Sequence, residues 1–405
     1  SDGAWAAVDA IFGTGLKREV SGHFALTCEL INRLPCPVVA VDIPSGVDSD
    51  SGRTLGACVR ADLTATYGLA KPGHFIHPGA ELTGRLEVID ITIPHEAVLK
   101  AGIPQELLSP ETLQGWVPER SADAHKGTYG HLLILAGSTG KTGAAILSAE
   151  GALRSGAGLV TLCVPKDLNP IFETSLPEAM TVPLPHSTTG HISANDASLI
   201  QESALGKKAV AIGPGIGTDP DTAQLVVSLY TELTIPAVID ADGLTLLAAT
   251  LSELTPAAPR ILTPHPGEMA RLTGKTTKDI QTDRLRTAAS FAQENKVILV
   301  LKGSRTVIAA PDGRVAINPT GNPGMAAGGM GDVLTGLIAG FLAQGLSPWQ
   351  AACLGVYLHG LAGDRIVKKT GMKAGFLASE LAAEVPLAME EIRGSEIKYS
   401  LFQGN

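Results

Sequence analysis

Residues 322–336 have the sequence NPGMAAGGMGDVLTG, and this stretch indicates the fold class. Glycines at positions 324, 328, 329 and 331 precede Asp332, and an apolar segment follows. Because glycine has no Cβ, consecutive backbone N–H groups can converge there on one anion. A helix that begins beside them adds the positive end of its dipole. The pattern predicts an anion-binding loop followed by a buried helix over 333–346.

Asp332 is unusual in such a loop, because a carboxylate would repel a bound phosphate. Its position is understandable if it takes a proton from a substrate hydroxyl that attacks the phosphate. The alternative is a glycine-rich turn in which Asp332 is an ordinary N-cap. The motif alone leaves both interpretations open.

Short apolar runs recur along the rest of the chain, usually ending in Gly, Asp or Pro and followed by a helical stretch. These runs cover residues 6–12, 38–43, 63–67, 86–91, 131–135, 159–164, 209–212, 237–239, 261–262 and 297–301. Near-continuous apolar strands that alternate with helices predict parallel sheets covered on both faces. The fold class is therefore predicted to be α/β, with ligands bound at the carboxyl ends of the strands.

Polar or glycine-rich segments follow several predicted strands. They are GTGLKRE (13–19), DIPSG (42–46), GPGIG (213–217), DADG (240–243), TPHPGE (263–268) and KGSRT (302–306). A solvated loop explains any one of them, but their shared position favours a binding site. We expect Lys302 to reach a phosphate, and the prolines flanking His265 to project its imidazole into the cleft. No GxxxxGK[ST] motif occurs, which excludes a P-loop enzyme.

The composition limits the partners and the compartment. The 405 residues are enough for two domains, and the net charge of −9 without a basic tract argues against nucleic acid. Five scattered cysteines, without metal-like spacing, are typical of a reduced, cytoplasmic protein. No apolar run is long enough to span a membrane, so no membrane association is expected.

At this point the sequence resembles a known family. Residues from about 105 to 392 resemble the ADP/ATP-dependent NAD(P)H-hydrate dehydratases, which have a ribokinase-like fold. The segments that carry the resemblance are KGTYGHLLILAGS (126–138), GAAILSAEGALRSGAGLVTL (143–162), GPGIG, TPHPGEMARL (263–272), VLKGSRT (300–306) and NPGMAAGGMGDVLTG.

This resemblance implies two sets of site residues. Those implied to bind the adenine nucleotide are Lys302, Gly303, Ser304, Arg305, Thr306, Asn322, Pro323, Gly324, Met325, Ala326, Ala327, Gly328, Gly329, Met330 and Gly331. Those implied to face the hydrated nicotinamide nucleotide are Ala144, Gly217, His265 and Asp332, with Ala145 as the alternative to Ala144.

Residues 1 to about 103 resemble the C-terminal half of the NAD(P)H-hydrate epimerase domain, a Rossmann-like sandwich, on VDAIFGTGLKREVSG (8–22) and VVAVDIPSGVDSDSG (38–52). The resemblance implies that Asp9 and Ser45 ligate K⁺, and that Asp9 also transfers a proton. The implied substrate-binding residues are Gly13, Thr14, Gly15, Leu16, Lys17, Arg18, Glu19 and Asp42. The alternative makes Asp9 and Asp42 simple strand-end caps. The family's N-terminal half is missing, so epimerase activity would require that half on a separate chain.

The expected domains are 1–103, related to the epimerase, and 104–394, the dehydratase, with a tail over 395–405. Because the chain opens inside a predicted strand, we expect a truncated or processed start. A homo-oligomer is also expected.

The expected reaction repairs NADHX and NADPHX, the hydrated forms of NADH and NADPH. Asp332 would deprotonate the C6 hydroxyl of the S hydrate, which attacks the terminal phosphoryl group of ADP or ATP. Mg²⁺ would bridge the phosphates. Two rivals stay open. A ribokinase-like vitamin kinase would keep its phosphorylated product, although TPHPGE together with KGSRT favours the dehydratase. A non-enzymatic binding module would use the first domain only for docking.

Overall fold

The computed structural model describes residues 5–187 and 191–394. Its internal contacts divide the chain into two compact units. The first contains the residues up to Glu106 together with Thr282–Leu285, and the second contains Leu107–Gln281 and the described residues from Arg286 onward. The predicted tail, 395–405, lies outside the described residues.

The first unit is built on a four-stranded parallel sheet. Its strands are β1 (Ala7–Asp9), β2 (Val38–Val41), β3 (Leu63–Tyr67) and β4 (Arg85–Ile89), in the spatial order β1-β2-β3-β4. Its helices are α1 (Gly22–Ile31), α2 (Gly79–Leu82) and α3 (His95–Ala101). All three strand pairs are parallel, as the apolar runs predict.

Apart from Gln105 and Glu106, which the internal contacts group with the first unit, the second unit contains a larger sheet. Its strands are β5 (Gln105–Leu107), β6 (His131–Leu135), β7 (Leu159–Pro165), β8 (Met180–Leu184), β9 (Ala209–Ile212), β10 (Ala237–Ile239), β11 (Arg260–Leu262), β12 (Ile298–Leu301), β13 (Val307–Ala309) and β14 (Val315–Ile317). The spatial order is β5-β14-β13-β12-β11-β10-β9-β6-β7-β8. In this spatial order, every pair of neighbouring strands between β12 and β8 is parallel.

The expectation of an entirely parallel sheet is wrong at one edge. β12, β13 and β14 pair antiparallel. The two added strands are three residues long and separated by the five residues APDGR, 310–314. A hairpin needs only such a tight turn, whereas a parallel pair needs a long crossover, so the connection length determines the direction.

The helices of the second unit lie between and after these strands. They are α4 (Pro110–Leu113), α5 (Thr142–Arg154), α6 (Asn169–Ser175), α7 (Ala197–Ala204), α8 (Pro220–Glu232), α9 (Asp242–Leu247), α10 (Pro266–Thr273), α11 (Thr277–Thr282), α12 (Arg284–Asn295), α13 (Met330–Ala343), α14 (Pro348–Thr370) and α15 (Ala378–Arg393). In the part of the chain that the structure describes, none of the helices is long and apolar enough to cross a membrane.

Helix α13 confirms the predicted buried helix and packs unusually close to α5. Every residue from Val333 to Ala343 is buried. A Cβ built on Gly336 would lie 1.9 Å from the carbonyl oxygen of Ser148, and one on Gly151 would lie 2.4 Å from that of Val333. Glycine is therefore required at both contacts. The N-termini of these two helices carry Asp332 and Ala144, two of the predicted site residues.

Candidate active site

The polar centre of the second unit lies where β10 and β12 end. Asp240 follows β10, and its carboxylate is 1% exposed. The ammonium of Lys302, which follows β12, donates to Asp240 Oδ1 over 2.7 Å. Thr335 of α13 donates its hydroxyl to Asp240 Oδ2, also over 2.7 Å. Asp240 thus joins two strands and the helix that follows the glycine-rich turn.

Lys302 is less available than the sequence suggests. Its ammonium also lies 3.8 Å from the carboxylate of Glu268. Burial alone would lower the pKa of Lys302, but the charges of Asp240 and Glu268 outweigh it and raise that pKa. Lys302 is therefore a fully charged cation already paired with carboxylates.

Asp332 lies in the first turn of α13, whose N-cap is Gly329 with φ 86° and no capping side chain. The alternative that makes Asp332 the N-cap is therefore wrong. Burial, followed by the charges of Asp240 and Asp242, raises the pKa of Asp332 to about 7 against the pull of Lys302. A carboxyl with that pKa accepts and releases a proton near neutral pH, as a general base must.

His265 and Glu268 form a capping box at the start of α10. The imidazole Nδ1 accepts from the backbone N–H of Gly267 over 2.9 Å, and Glu268 accepts from the backbone N–H of His265 over 2.7 Å. The flanking prolines hold His265 extended, as predicted, and its side chain is 52% exposed. Its Nδ1 is thus engaged with its own helix, and Nε2 lies 3.5 Å from Glu268.

Asp242 links the two other segments predicted to face the hydrate. It accepts from the backbone N–H of Gly217 over 2.9 Å and from the ammonium of Lys141 over 2.8 Å. Lys141 is the N-cap residue of α5, which begins with Thr142. Ala144 is partly accessible, whereas Ala145 is buried.

The two segments predicted to bind nucleotide are turns at the same end of the sheet. Arg305 has φ 57°, and Thr306 donates its hydroxyl to the carbonyl of Gly303 over 3.0 Å. In the second segment, Asn322 accepts from the backbone of Gly324 over 3.0 Å and donates to Asp364 over 2.9 Å. Residues 326–328 are exposed. A Cβ on Gly331 would lie 3.5 Å from Lys302 Nζ, so the two segments meet there.

Sequence reasoning assigned no role to five residues of this cluster: Asp240, Asp242, Thr335, Lys141 and His359. The DADG motif marked the first two by position only. The buried imidazole of His359 contacts the carbonyl of Met330 over 2.9 Å, and burial lowers the pKa of His359 to about 4. A neutral histidine therefore supports the first turn of α13, which no sequence signal indicated.

In the first unit, Asp9 and Ser45 are brought together as predicted. Asp9 is fully buried at the end of β1. Ser45 donates its hydroxyl to Asp9 Oδ1 over 2.7 Å and its backbone N–H to Oδ2 over 2.8 Å, and its hydroxyl accepts from Phe12 N over 2.9 Å. The side-chain oxygens of Asp9 and Ser45 are therefore used mainly in hydrogen bonds between these two residues.

Asp42 lies apart from that pair in an ion pair of its own. Lys71 contacts it over 2.5 Å and Thr66 over 2.9 Å. Burial would raise the pKa of Asp42, but these two hydrogen bonds outweigh it and lower that pKa. Residues 13–19 form an irregular, mostly exposed loop, in which Lys17 lies 3.7 Å from Asp50.

Neither carboxylate cluster makes a metal centre by itself. Among the described residues there is no group of three or more His, Cys, Asp or Glu side chains that could hold a metal ion. Around Asp240 an ammonium already fills the space between carboxylates. Mg²⁺ usually keeps several waters and binds mainly through substrate phosphates rather than through a cage of protein side chains.

Comparison with known proteins is decisive for the family. Residues 132–387 match the sequence model of the NAD(P)H-hydrate dehydratases, and residues 4–73 match that of the YjeF-related protein N-terminus. The bifunctional NAD(P)H-hydrate repair enzyme of Moorella thermoacetica is 47% identical over 386 residues, which cover 95% of this chain and 73% of that enzyme. The chain belongs to the family of bifunctional NAD(P)H-hydrate repair enzymes.

Other relatives agree with this assignment. The repair enzyme of Thermofilum pendens is 40% identical over 95% of this chain and 73% of its own length. A crystal structure of the ADP/ATP-dependent NAD(P)H-hydrate dehydratase from Bacillus subtilis, co-crystallised with ATP and Mg²⁺, has a TM-score of 0.63 and 35% identity. The match covers 71% of this chain and 98% of the Bacillus subtilis chain. The predicted family, the α/β fold class with a ribokinase-like second domain, and the dehydratase assignment are confirmed.

Proposed function

We propose that the second unit dehydrates the S forms of NADHX and NADPHX at the expense of ADP or ATP. The observation that carries this proposal is Asp332. It lies in the first turn of α13 beside the glycine-rich turn, with a pKa of about 7. That the co-substrate is an adenine nucleotide is inferred by analogy with the Bacillus subtilis dehydratase, which was crystallised with ATP and Mg²⁺.

The proposed reaction has two steps. Asp332 takes the proton of the C6 hydroxyl, whose oxygen attacks the terminal phosphoryl group and displaces AMP from ADP, or ADP from ATP. The C6–O bond then breaks as the ring nitrogen donates its electron pair, and phosphate leaves. Loss of a proton from C5 restores the dihydronicotinamide. Phosphorylation thus turns hydroxide, a poor leaving group, into phosphate, and this explains the need for a nucleotide.

We assign the nucleotide to residues 302–306 and 322–331. The support is their shared place at the carboxyl ends of the strands, where backbone N–H groups of a glycine-rich turn can surround phosphate oxygens. Lys302 would meet the phosphate while still held by Asp240. Mg²⁺ carried by the phosphates would neutralise part of their charge.

The hydrate is assigned to Ala144, Gly217, His265 and Asp332. Gly217 and Ala144 lie on segments linked through the Asp242–Lys141 ion pair. Although Nδ1 caps α10 and Nε2 lies 3.5 Å from Glu268, the His265 side chain is 52% exposed, so part of the imidazole is accessible to the hydrate. A side chain as small as that of Ala144 leaves room for the ring of the hydrate.

For the first unit we propose only a partial epimerase site. Asp9 and Ser45 would contribute oxygens to a K⁺ ion, with Asp9 as the proton-transfer group and Gly13–Glu19 and Asp42 on the substrate. Because their oxygens are used by one another, further ligands must come from elsewhere. Apolar side chains are also exposed there: Trp5 is 93% exposed, and Val8 on β1 is 66% exposed. Parallel sheets are normally covered on both faces, so a further polypeptide segment is proposed to cover this face and complete the unit.

We propose that residues 1–103 belong to the epimerase activity and residues 104–394 carry the dehydratase activity, as the predicted domain bounds imply. The cysteines of the described residues form no disulfide, which supports the proposal of a reducing, cytoplasmic location. Assembly as a homo-oligomer also stays a prediction.

One assay tests the function. Purified protein is mixed with separated S or R hydrate and either ADP or ATP, and the near-ultraviolet absorbance of the dihydronicotinamide ring is followed. We expect recovery with the S hydrate only. A stable phosphorylated product without recovered absorbance would instead show a small-molecule kinase. No consumption of either hydrate or nucleotide would refute the proposal.

A further inference from the structure

Asp240 occupies the junction of the elements that form the proposed dehydratase site. It follows β10, and the next residue, Ala241, has φ 50°, a left-handed conformation that is costly for a residue with a Cβ. A Cβ on Gly213, at the end of β9, would lie 1.9 Å from the carbonyl oxygen of Asp240. The backbone around Asp240 is thus held in one strained arrangement by its neighbours.

Both oxygens of the carboxylate are used, each by a different element. Oδ1 accepts from Lys302 of the β12 end and Oδ2 accepts from Thr335 of α13. The position of a Cβ on Gly331 would be 3.5 Å from Lys302 Nζ and 3.9 Å from Asp240 Oδ2. The ion pair therefore lies directly against the glycine that precedes Asp332.

The charges of the cluster do not balance. Lys302 faces three carboxylates, those of Asp240, Glu268 and Asp332. Asp242 adds a fourth carboxylate near Asp332, and Lys141, 2.8 Å from Asp242, adds a second ammonium. Asp240 lies closest to the ammonium, at 2.7 Å, against 3.8 Å for Glu268. Asp240 therefore determines how much of the Lys302 charge is left to act on Asp332.

We propose that Asp240 is a positioning residue that holds the Lys302 ammonium beside the start of α13 and so controls the protonation of Asp332. This inference rests on the proposed dehydratase function. It goes further by placing Asp240, which is assigned to neither the hydrate nor the nucleotide, in control of the general base. A buried ion pair that is only structural would predict loss of stability on its removal and no change in the pH profile.

The decisive variant is Asp240→Asn, which keeps the shape and removes the charge. Without that charge, Asp332 loses a repelling neighbour and gains the attraction of a less occupied Lys302. The acidic limb of the kcat/KM profile should move to lower pH by about one unit, since a nearby like charge disfavours ionisation. Thr335→Val is the matched control, because it removes the other hydrogen bond to Asp240 and keeps the charge. It should lower the thermal midpoint and leave the limb in place.

The proposal would be overturned if the acidic limb of the kcat/KM profile did not move in Asp240→Asn, or if it moved equally in Thr335→Val. If Asp240→Asn does not fold, Asp240→Glu keeps the charge and displaces the ammonium. We expect a lower kcat from it, and wild-type kcat would contradict the positioning role.

A second measurement needs no turnover and so separates this inference from the proposed function. The thermal midpoint is measured against pH for Asp332→Asn in the wild-type and Asp240→Asn backgrounds. The pH-dependent gain from Asp332→Asn should shrink when Asp240 is already neutral. An equal gain in both backgrounds would overturn the coupling, even if the wild-type protein proved inactive on the hydrates.

Discussion

Replacing Asp332 with asparagine should stabilise the second unit while removing its activity. The pKa of Asp332 is raised from 3.8 to about 7, chiefly by burial. One pKa unit corresponds to about 1.4 kcal/mol, so the ionised carboxylate destabilises the fold by roughly 4 kcal/mol at most. This is an upper bound, because Asp332 is partly exposed.

The sign follows from linkage. A carboxyl with a raised folded-state pKa is harmless below its unfolded pKa, and its cost grows as pH rises from 3.8 to about 7. The Asp332→Asn variant carries no such charge. Its advantage over wild type should therefore be larger at about pH 8 than at about pH 5, by roughly 2–3 kcal/mol.

Urea unfolding of both proteins at the two pH values measures this difference. Asp167→Asn, which changes an exposed aspartate of the same unit, is the control and should show little pH dependence. In parallel, dehydration by Asp332→Asn should fall at least about a hundredfold, the usual loss of a general base. A pH-independent stability difference, or turnover within about threefold of wild type, would refute the reasoning.

Three further predictions concern other parts of the chain. Lys302→Ala should weaken nucleotide binding more than hydrate binding in separate titrations, and equal weakening would mean that Lys302 only supports its loop. Gly336→Ala should lower the stability of the second unit by about 1–3 kcal/mol in urea unfolding, because its Cβ would overlap the carbonyl of Ser148; an unchanged midpoint would contradict this close contact. Given an S/R mixture and ATP, the protein should consume the S fraction and then slow to spontaneous epimerisation, whereas rapid complete consumption would show an active epimerase.

Local patterns determined most of the strand positions. The runs at 63–67, 131–135, 209–212 and 237–239 coincide with β3, β6, β9 and β10. β6, β9 and β10 are buried on both faces, so their apolar character is continuous and visible in the sequence. β8, with the sequence MTVPL, contains a proline and lies at the edge of the sheet, and this weakens the pattern there.

The glycine-rich turn and the start of α13 could also be located from the sequence, because missing side chains and an apolar helix are local properties. The protonation state of Asp332 could not be predicted from the sequence. It depends on Asp240 and Lys302, which are separated by 62 positions in the chain and joined by a 2.7 Å hydrogen bond. A pKa results from burial and from charges that only the assembled sheet brings together. The sequence alone thus identified Asp332, Lys302 and the glycine-rich turn, and the tertiary structure decided their partners, their burial and their ability to exchange a proton.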